Sequence, residues 1–189
     1  MTFIRIVQNK NLTAYRLSKK SGVPYMTIND LMNYKTTLTK CNTETVYKIA
    51  KALDTSVEEL IEPYMKNRPS FELFKSNVCH KLKELGDISF LMDLIDSDDI
   101  MHYYDLEWYP ECLYLLAMLD YVSRVNHVAL CSEYDDLRRL KLSSVVYPSS
   151  ILAQDIVTNT DNAKKEAWNN SIPEFKRFNI VENEVRNVV

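Results

Sequence analysis

Between Tyr25 and Asn33 the sequence YMTINDLMN sets apolar Ile28 and Leu31 three residues apart and leaves Tyr25, Met26, Thr27, Asn29, Asp30 and Asn33 on the opposite side of a helix. Several of these side chains suit the edge of a base pair. Asn29 can bond adenine through two hydrogen bonds, Asp30 can accept from the cytosine amine, and Tyr25, Met26 and the Thr27 methyl can pack on thymine methyls. Tyr25, Met26, Thr27, Asn29 and Asp30 are therefore the candidate base readers. The segment holds no Lys or Arg, so it lacks a strong guanine reader and attracts phosphate weakly. Lys19, Lys20, Lys35 and Lys40 flank it and can supply that charge. With Thr13 and Asn33 they are the candidate phosphate contacts, which fix register while the helix supplies sequence preference. The plainer role for Thr27 and Asn33 is to cap and brace their own motif.

The elements that must hold these residues can be read from the flanking sequence. Residues 12–33, LTAYRLSKKSGVPYMTINDLMN, form a helix-turn-helix pattern. Thr13 can cap the first helix, Gly22 supplies the left-handed geometry of a tight turn, and Pro24 suits the start of the second helix, where no N–H is needed. Residues 1–10 predict a preceding helix with no obvious cap, and a loop spans Tyr34 to Cys41. Asn42 is a good N-cap for a fourth helix with Val46, Ile49, Ala50 and Leu53 at helical spacing. Ser56 and Glu59 make a capping box for a fifth, whose Val57, Leu60 and Ile61 close a small core with Leu12, Leu17, Val23, Ile28 and Leu31.

This five-helix order resembles the Cro/C1-type (XRE family) helix-turn-helix domain over residues 1–62. The resemblance rests on Leu12-Thr13, Gly22-Val23, Thr27-Ile28, the run from Val46 to Leu53, and Ser56 to Leu60. Three positions depart from the family's habit: Ala14 replaces a phosphate-contacting Gln, Tyr34 a Gly closing the recognition helix, and Asp54 a Gly capping the fourth helix. The resemblance implies a lambda-repressor-like all-α fold and double-stranded DNA as partner; no cofactor is expected, and the absence of a recognisable nucleophile motif around any Cys or His speaks against an enzyme. The resemblance further implies a transcriptional regulator, a homodimeric repressor in the first instance. The alternative it carries is an antitoxin that binds a protein encoded nearby and regulates its own operon.

Composition agrees with helices: of 189 residues, 46% are hydrophobic and only Gly22 and Gly86 are glycine, which leaves no Gly-rich phosphate loop. The net charge of −3 hides an asymmetry. Residues 1–66 hold 10 Lys and Arg against 6 Asp and Glu, a balance of +4, whereas residues 67–189 hold 13 against 20, a balance of −7. The basic portion is the one with the DNA-reading pattern. No signal-like or membrane-length apolar run occurs, and a cytoplasmic protein with reduced thiols is expected.

Residues 63–69, with Pro63 and Pro69, read as a linker, and 70–172 as an acidic helical domain for dimerisation or partner binding. Its predicted helices are one ending at Gly86, one from Asp87 with Ile88, Leu91, Met92 and Ile95 inward, and one after Asp98. There follow an apolar spine from Pro110 to Val122, an amphipathic helix over 132–142, and helices over 149–158 and 161–170. Residues 173–189 read as a C-terminal tail of no clear period. The aromatic run Tyr103, Tyr104, Trp108, Tyr109, Tyr114 and Tyr121 suits helix packing first and a partner surface second. Tyr104, Trp108 and Tyr109, with Phe175, Arg177 and Phe178 of the tail, are the candidate partner contacts. Cys79, His80, His102, Cys112, His127 and Cys131 lack the spacing of a zinc site or the surroundings of a catalytic thiol, so no metal is expected.

Overall fold

The computed structural model describes residues 2–65, 67–158 and 162–186. Among them are twelve α-helices and no strand, with one isolated parallel bridge between Val146 and Ile180. The chain divides into two compact units: Met1–Arg68 with Asp105–Glu107, and Pro69–Tyr104 with Trp108–Val189.

The first unit contains α1 (Phe3–Asn9), α2 (Ala14–Ser21), α3 (Tyr25–Met32), α4 (Thr43–Leu53) and α5 (Val57–Met65). Its helix ends follow the caps written in the sequence. Thr13 Oγ1 accepts from the Arg16 N–H at 3.3 Å, and Gly22 ends α2 in the left-handed region at φ 71°. Asn42 Oδ1 accepts from Thr45 N–H at 2.8 Å. The Ser56 and Glu59 box closes both ways, at 3.0 and 3.1 Å, and the Ser56 N–H holds the Glu59 carboxyl below its ordinary pKa. Phe3, Val7, Leu17, Ile28, Ile49, Leu53 and Leu60 are buried together, with Leu38 drawn in from the loop after α3. Helix α5 runs through Pro63 to Met65, so the first residues of the expected linker are helical. Pro63 forfeits one backbone hydrogen bond, but Tyr64 in the last turn packs on the core and holds it.

The second unit is built on α9 (Tyr109–Val125), with Pro110 in its first turn and every residue from Glu111 to Asp120 buried. Helices α6 (Phe71–Leu85), α7 (Asp87–Asp96) and α12 (Pro173–Arg177) pack on it, α8 (Asp99–Asp105) adds Ile100 to the same core, and α10 (Ser149–Thr158) and α11 (Asn162–Asn170) pack on each other. The expected start of α11 at Asp161 lies outside the described residues.

Three expectations need correction here. Helix α7 buries Phe90, Leu91 and Leu94, while Ile88, Met92 and Ile95 stay exposed. Residues 132–142 form two short 3₁₀ turns, Ser132–Tyr134 and Leu137–Arg139, in place of an amphipathic helix. The cause is Arg138: its guanidinium bonds the buried Asp120 carboxylate from Nε at 3.0 Å and Nη2 at 2.8 Å, and the Cys131 carbonyl at 2.6 Å. Tyr134 and Leu137, three apart, are buried beside it. Finally, the segment from Pro173 is no free tail. Phe175, Phe178, Ile180 and Val185 belong to the second unit's core, and Val146 N–H and Leu142 N–H donate to the Asn179 and Phe178 carbonyls at 2.8 and 3.2 Å. Large apolar side chains at irregular spacing fill gaps between helices, which explains the lack of a period.

Candidate nucleic-acid interface

Helix α3 is oriented by two side chains that point into the first unit, Ile28 and Leu31, which are 0% and 4% exposed. Their burial turns Tyr25, Met26 and Asn33 outward, with Thr27, Asn29 and Asp30 half-buried at the margins. The four-residue spacing of Tyr25, Asn29 and Asn33 aligns them along one strip, and hydrogen bonds tie that strip together. Tyr25 Oη donates to Asn29 Oδ1 at 3.5 Å, and Asn33 Nδ2 donates to the Asn29 carbonyl at 2.8 Å. Asn33 therefore closes the last turn of α3, the bracing role. Met26, the most exposed side chain of the helix at 63%, lies one position over, in line with Asp30. The strip thus offers an amide, a phenol and a flexible thioether to whatever α3 meets, with one carboxylate at its side.

The turn that sets α3 against α2 is held by side-chain bonds the chain pattern did not announce. Ser18 Oγ donates to the Val23 carbonyl at 2.7 Å, Ser21 Oγ donates to the Leu17 carbonyl at 2.7 Å, and Val23 N–H donates to Ser21 Oγ at 3.2 Å. These bonds satisfy backbone groups that the helix ends would otherwise leave open.

The candidate phosphate contacts stand on three elements. Lys19 and Lys20 are exposed in the last turn of α2, where a cation also complements the helix dipole. Lys35 and Lys40 are exposed on the loop after α3. That loop is anchored by Leu38, 1% exposed, and by Lys35 N–H donating to the Asp30 carbonyl at 2.9 Å. Cys41 Sγ donates to the Thr37 carbonyl at 3.6 Å, and partial burial pushes its thiol pKa up. Thr13 Oγ1 is engaged as a cap acceptor, so only its O–H remains to face outward.

Two residues join this set that sequence reasoning passed over. Tyr15 is 61% exposed, and Lys19 Nζ lies 5.7 Å from its ring centroid, so the two share a face of α2; Arg16 is exposed beside them. The signal was present in the four-residue step from Tyr15 to Lys19 and in a cation next to the Thr13 cap.

The candidate partner contacts do not form one surface. Tyr104 and Tyr109 pack edge-on, centroids 5.8 Å apart, and with Leu113, Leu140 and Lys141 line an open cavity of about 290 Å³. Trp108 instead stacks on Tyr103. Phe175 and Phe178 are fully buried, so neither can face a partner, and Arg177 Nη1 lies 3.1 Å from Asp120 Oδ2. The expectation for Phe175 and Phe178 is thus overturned, because the core claims both rings.

Among the described residues no three His, Cys, Asp or Glu side chains gather as a metal cluster, and no helix is long and apolar enough to cross a membrane. Cys79 and Cys112 are buried. Burial pushes the Cys79 thiol up, away from the thiolate a nucleophile requires.

No curated protein and no solved structure matches the chain. Residues 3–65 match the family model of the Cro/C1-type HTH DNA-binding domain. The helix order, the α2–α3 turn and the caps described above agree with that match, and a domain of this kind supports a DNA-binding regulator. Residues 3–65 of this chain are a Cro/C1-type helix-turn-helix DNA-binding domain.

Proposed function

We propose that the chain is a sequence-specific transcriptional repressor that binds DNA as a homodimer, with α3 of each copy reading one half-site in the major groove. The observation that carries this reading is the outward strip of α3, Tyr25, Met26 and Asn29, set between exposed lysines on α2 and on the following loop. Such a strip selects bases, while Lys19, Lys20, Lys35 and Lys40 supply the salt-sensitive attraction to phosphate. One module of this size buries little surface on DNA, and two linked modules on half-sites a helical turn apart multiply the affinity. A mobility-shift titration with the DNA upstream of its own gene tests the proposal. A retarded complex holding two copies is the expected result; no complex at low salt, from folded protein, overturns it.

A second reading is an antitoxin that neutralises a protein encoded beside it. The observation favouring it is α10, where Ile156 and Val157 are 81% and 85% exposed and Leu152 is 41% exposed, an apolar face for a partner protein. Co-expression with the neighbouring gene product discriminates: co-purification that Ile156→Lys abolishes supports it, and failure to co-purify rejects it.

A further inference from the structure

Helix α7 is apolar on two sides. Phe90, Leu91 and Leu94 are buried, yet Ile88, Met92 and Ile95 are 53%, 60% and 42% exposed. The steps of four and three residues put these three in one stripe, and Leu85, exposed at the end of α6, lies just before it. The stripe presents on the order of 400 Å² of apolar surface, the size at which an exposed patch marks an interaction site.

We infer that this stripe is where a second copy of the chain docks, α7 against α7 in antiparallel sense, with the two-fold axis passing beside Met92. The inference rests on the dimeric reading above and adds the surface that makes the dimer. The stripe complements itself: about an axis at Met92, Ile88 of one copy faces Ile95 of the other, and the two flexible methionines meet at the centre, where they can adapt their packing.

Charge favours one direction. The C-terminal end of α7 is acidic, with Asp96 and Asp98 exposed. At its N-terminal end Arg186 pairs with Asp87 through Nη1 at 3.0 Å and Nη2 at 2.8 Å, and its side chain remains 42% exposed. Antiparallel pairing brings the acidic end of each helix to the positive dipole end of the other, where Lys83 and Arg186 offset Glu84 and Asp87, whereas parallel pairing sets Asp96 against Asp96. Two such stripes together bury up to roughly 800 Å² of apolar surface, enough to form the apolar centre of an interface of standard size.

Light scattering on the full chain over a concentration series tests this, using Met92→Lys, Met92→Cys and, as a control on the other exposed apolar face, Ile156→Lys. Met92 is solvent-exposed, so an unchanged circular dichroism spectrum shows that each variant is folded. The expected result is a wild-type dimer, a dissociation constant raised about tenfold or more by Met92→Lys, and no change from Ile156→Lys. Under oxidised glutathione, Met92→Cys is expected to give a disulfide-linked dimer that the wild-type chain, with its own four cysteines, does not give. A dimer that Met92→Lys leaves intact, with no added cross-link in Met92→Cys, overturns the assignment to α7 and leaves the dimeric reading standing. A wild-type chain that is monomeric at every concentration, with and without DNA, overturns both.

Discussion

Lys75 Nζ lies 3.1 Å from Glu182 Oε2, two nearly buried charges 107 residues apart that tie the end of the chain to α6. The same carboxylate oxygen accepts from Tyr114 Oη at 3.3 Å, and the Glu182 backbone N–H donates to Ser171 Oγ at 3.0 Å. Glu182→Ala leaves the buried ammonium with only the more exposed Glu72 carboxylate, 3.5 Å away, and the buried phenol with only Cys79 Sγ at 3.4 Å. Removing one partner of such a pair costs about 3 kcal/mol or more, whereas replacing both charges with apolar groups costs far less. Urea unfolding is expected to show Glu182→Ala well below wild type, with Lys75→Met/Glu182→Leu recovering much of the loss.

Two backbone positions in the DNA-binding domain carry opposite expectations. Gly22 sits at φ 71° with nothing within 4 Å of where a Cβ would be, so Gly22→Ala is penalised by strain alone, by about 1 kcal/mol. Asp54 caps α4 at φ 53°, a conformation glycine holds without strain. Asp54→Gly is expected to stabilise by roughly 0.5–1 kcal/mol. Thermal unfolding of the two variants should shift in opposite directions.

Burial raises the hydroxyl pKa of Tyr64 in the first unit and of Tyr134 in the second, each to about 12. A folded-state pKa above the unfolded value of about 10 means the native state keeps its proton longer. The stabilisation is therefore fully present below about pH 10 and is lost as pH rises from there to about 12. Tyr64→Phe and Tyr134→Phe are each expected to flatten the alkaline arm of the stability curve measured by denaturant titration at fixed pH.

The lysines should separate from the base readers by their salt dependence. Lys19→Ala and Lys35→Ala are expected to weaken binding to all sequences alike, each lowering the slope of log affinity against log salt by about 1. Asn29→Ala should leave that slope unchanged and cost about 1–3 kcal/mol of preference at one base pair. Fluorescence anisotropy at several salt concentrations, on matched and altered sites, reads both quantities.

Most of the DNA-binding domain was legible because its information is local. Thr13, Gly22, Asn42 and the Ser56–Glu59 box are side chains acting within four residues of themselves, and the inward turn of Ile28 and Leu31 follows from helical period alone. The second unit depends on distant partners. Nothing near Arg138 announces Asp120, and nothing near Phe175 announces the core it fills, so residues 132–142 and 173–186 were misread where tertiary contacts override period. The face of α7 was ambiguous for a different reason: with six apolar residues among ten, DISFLMDLID fits burial on either side.

Selection of bound duplexes from a random-sequence pool by the full chain, followed by sequencing, tests most directly whether α3 reads DNA as a pair. Enrichment of an inverted repeat is expected, its half-site centres about 10–10.5 base pairs apart, with preference lost at one position per half-site in Asn29→Ala. A folded chain that enriches no sequence at low salt, or whose enriched sequence is unchanged by substitutions at Tyr25, Met26 and Asn29, contradicts it.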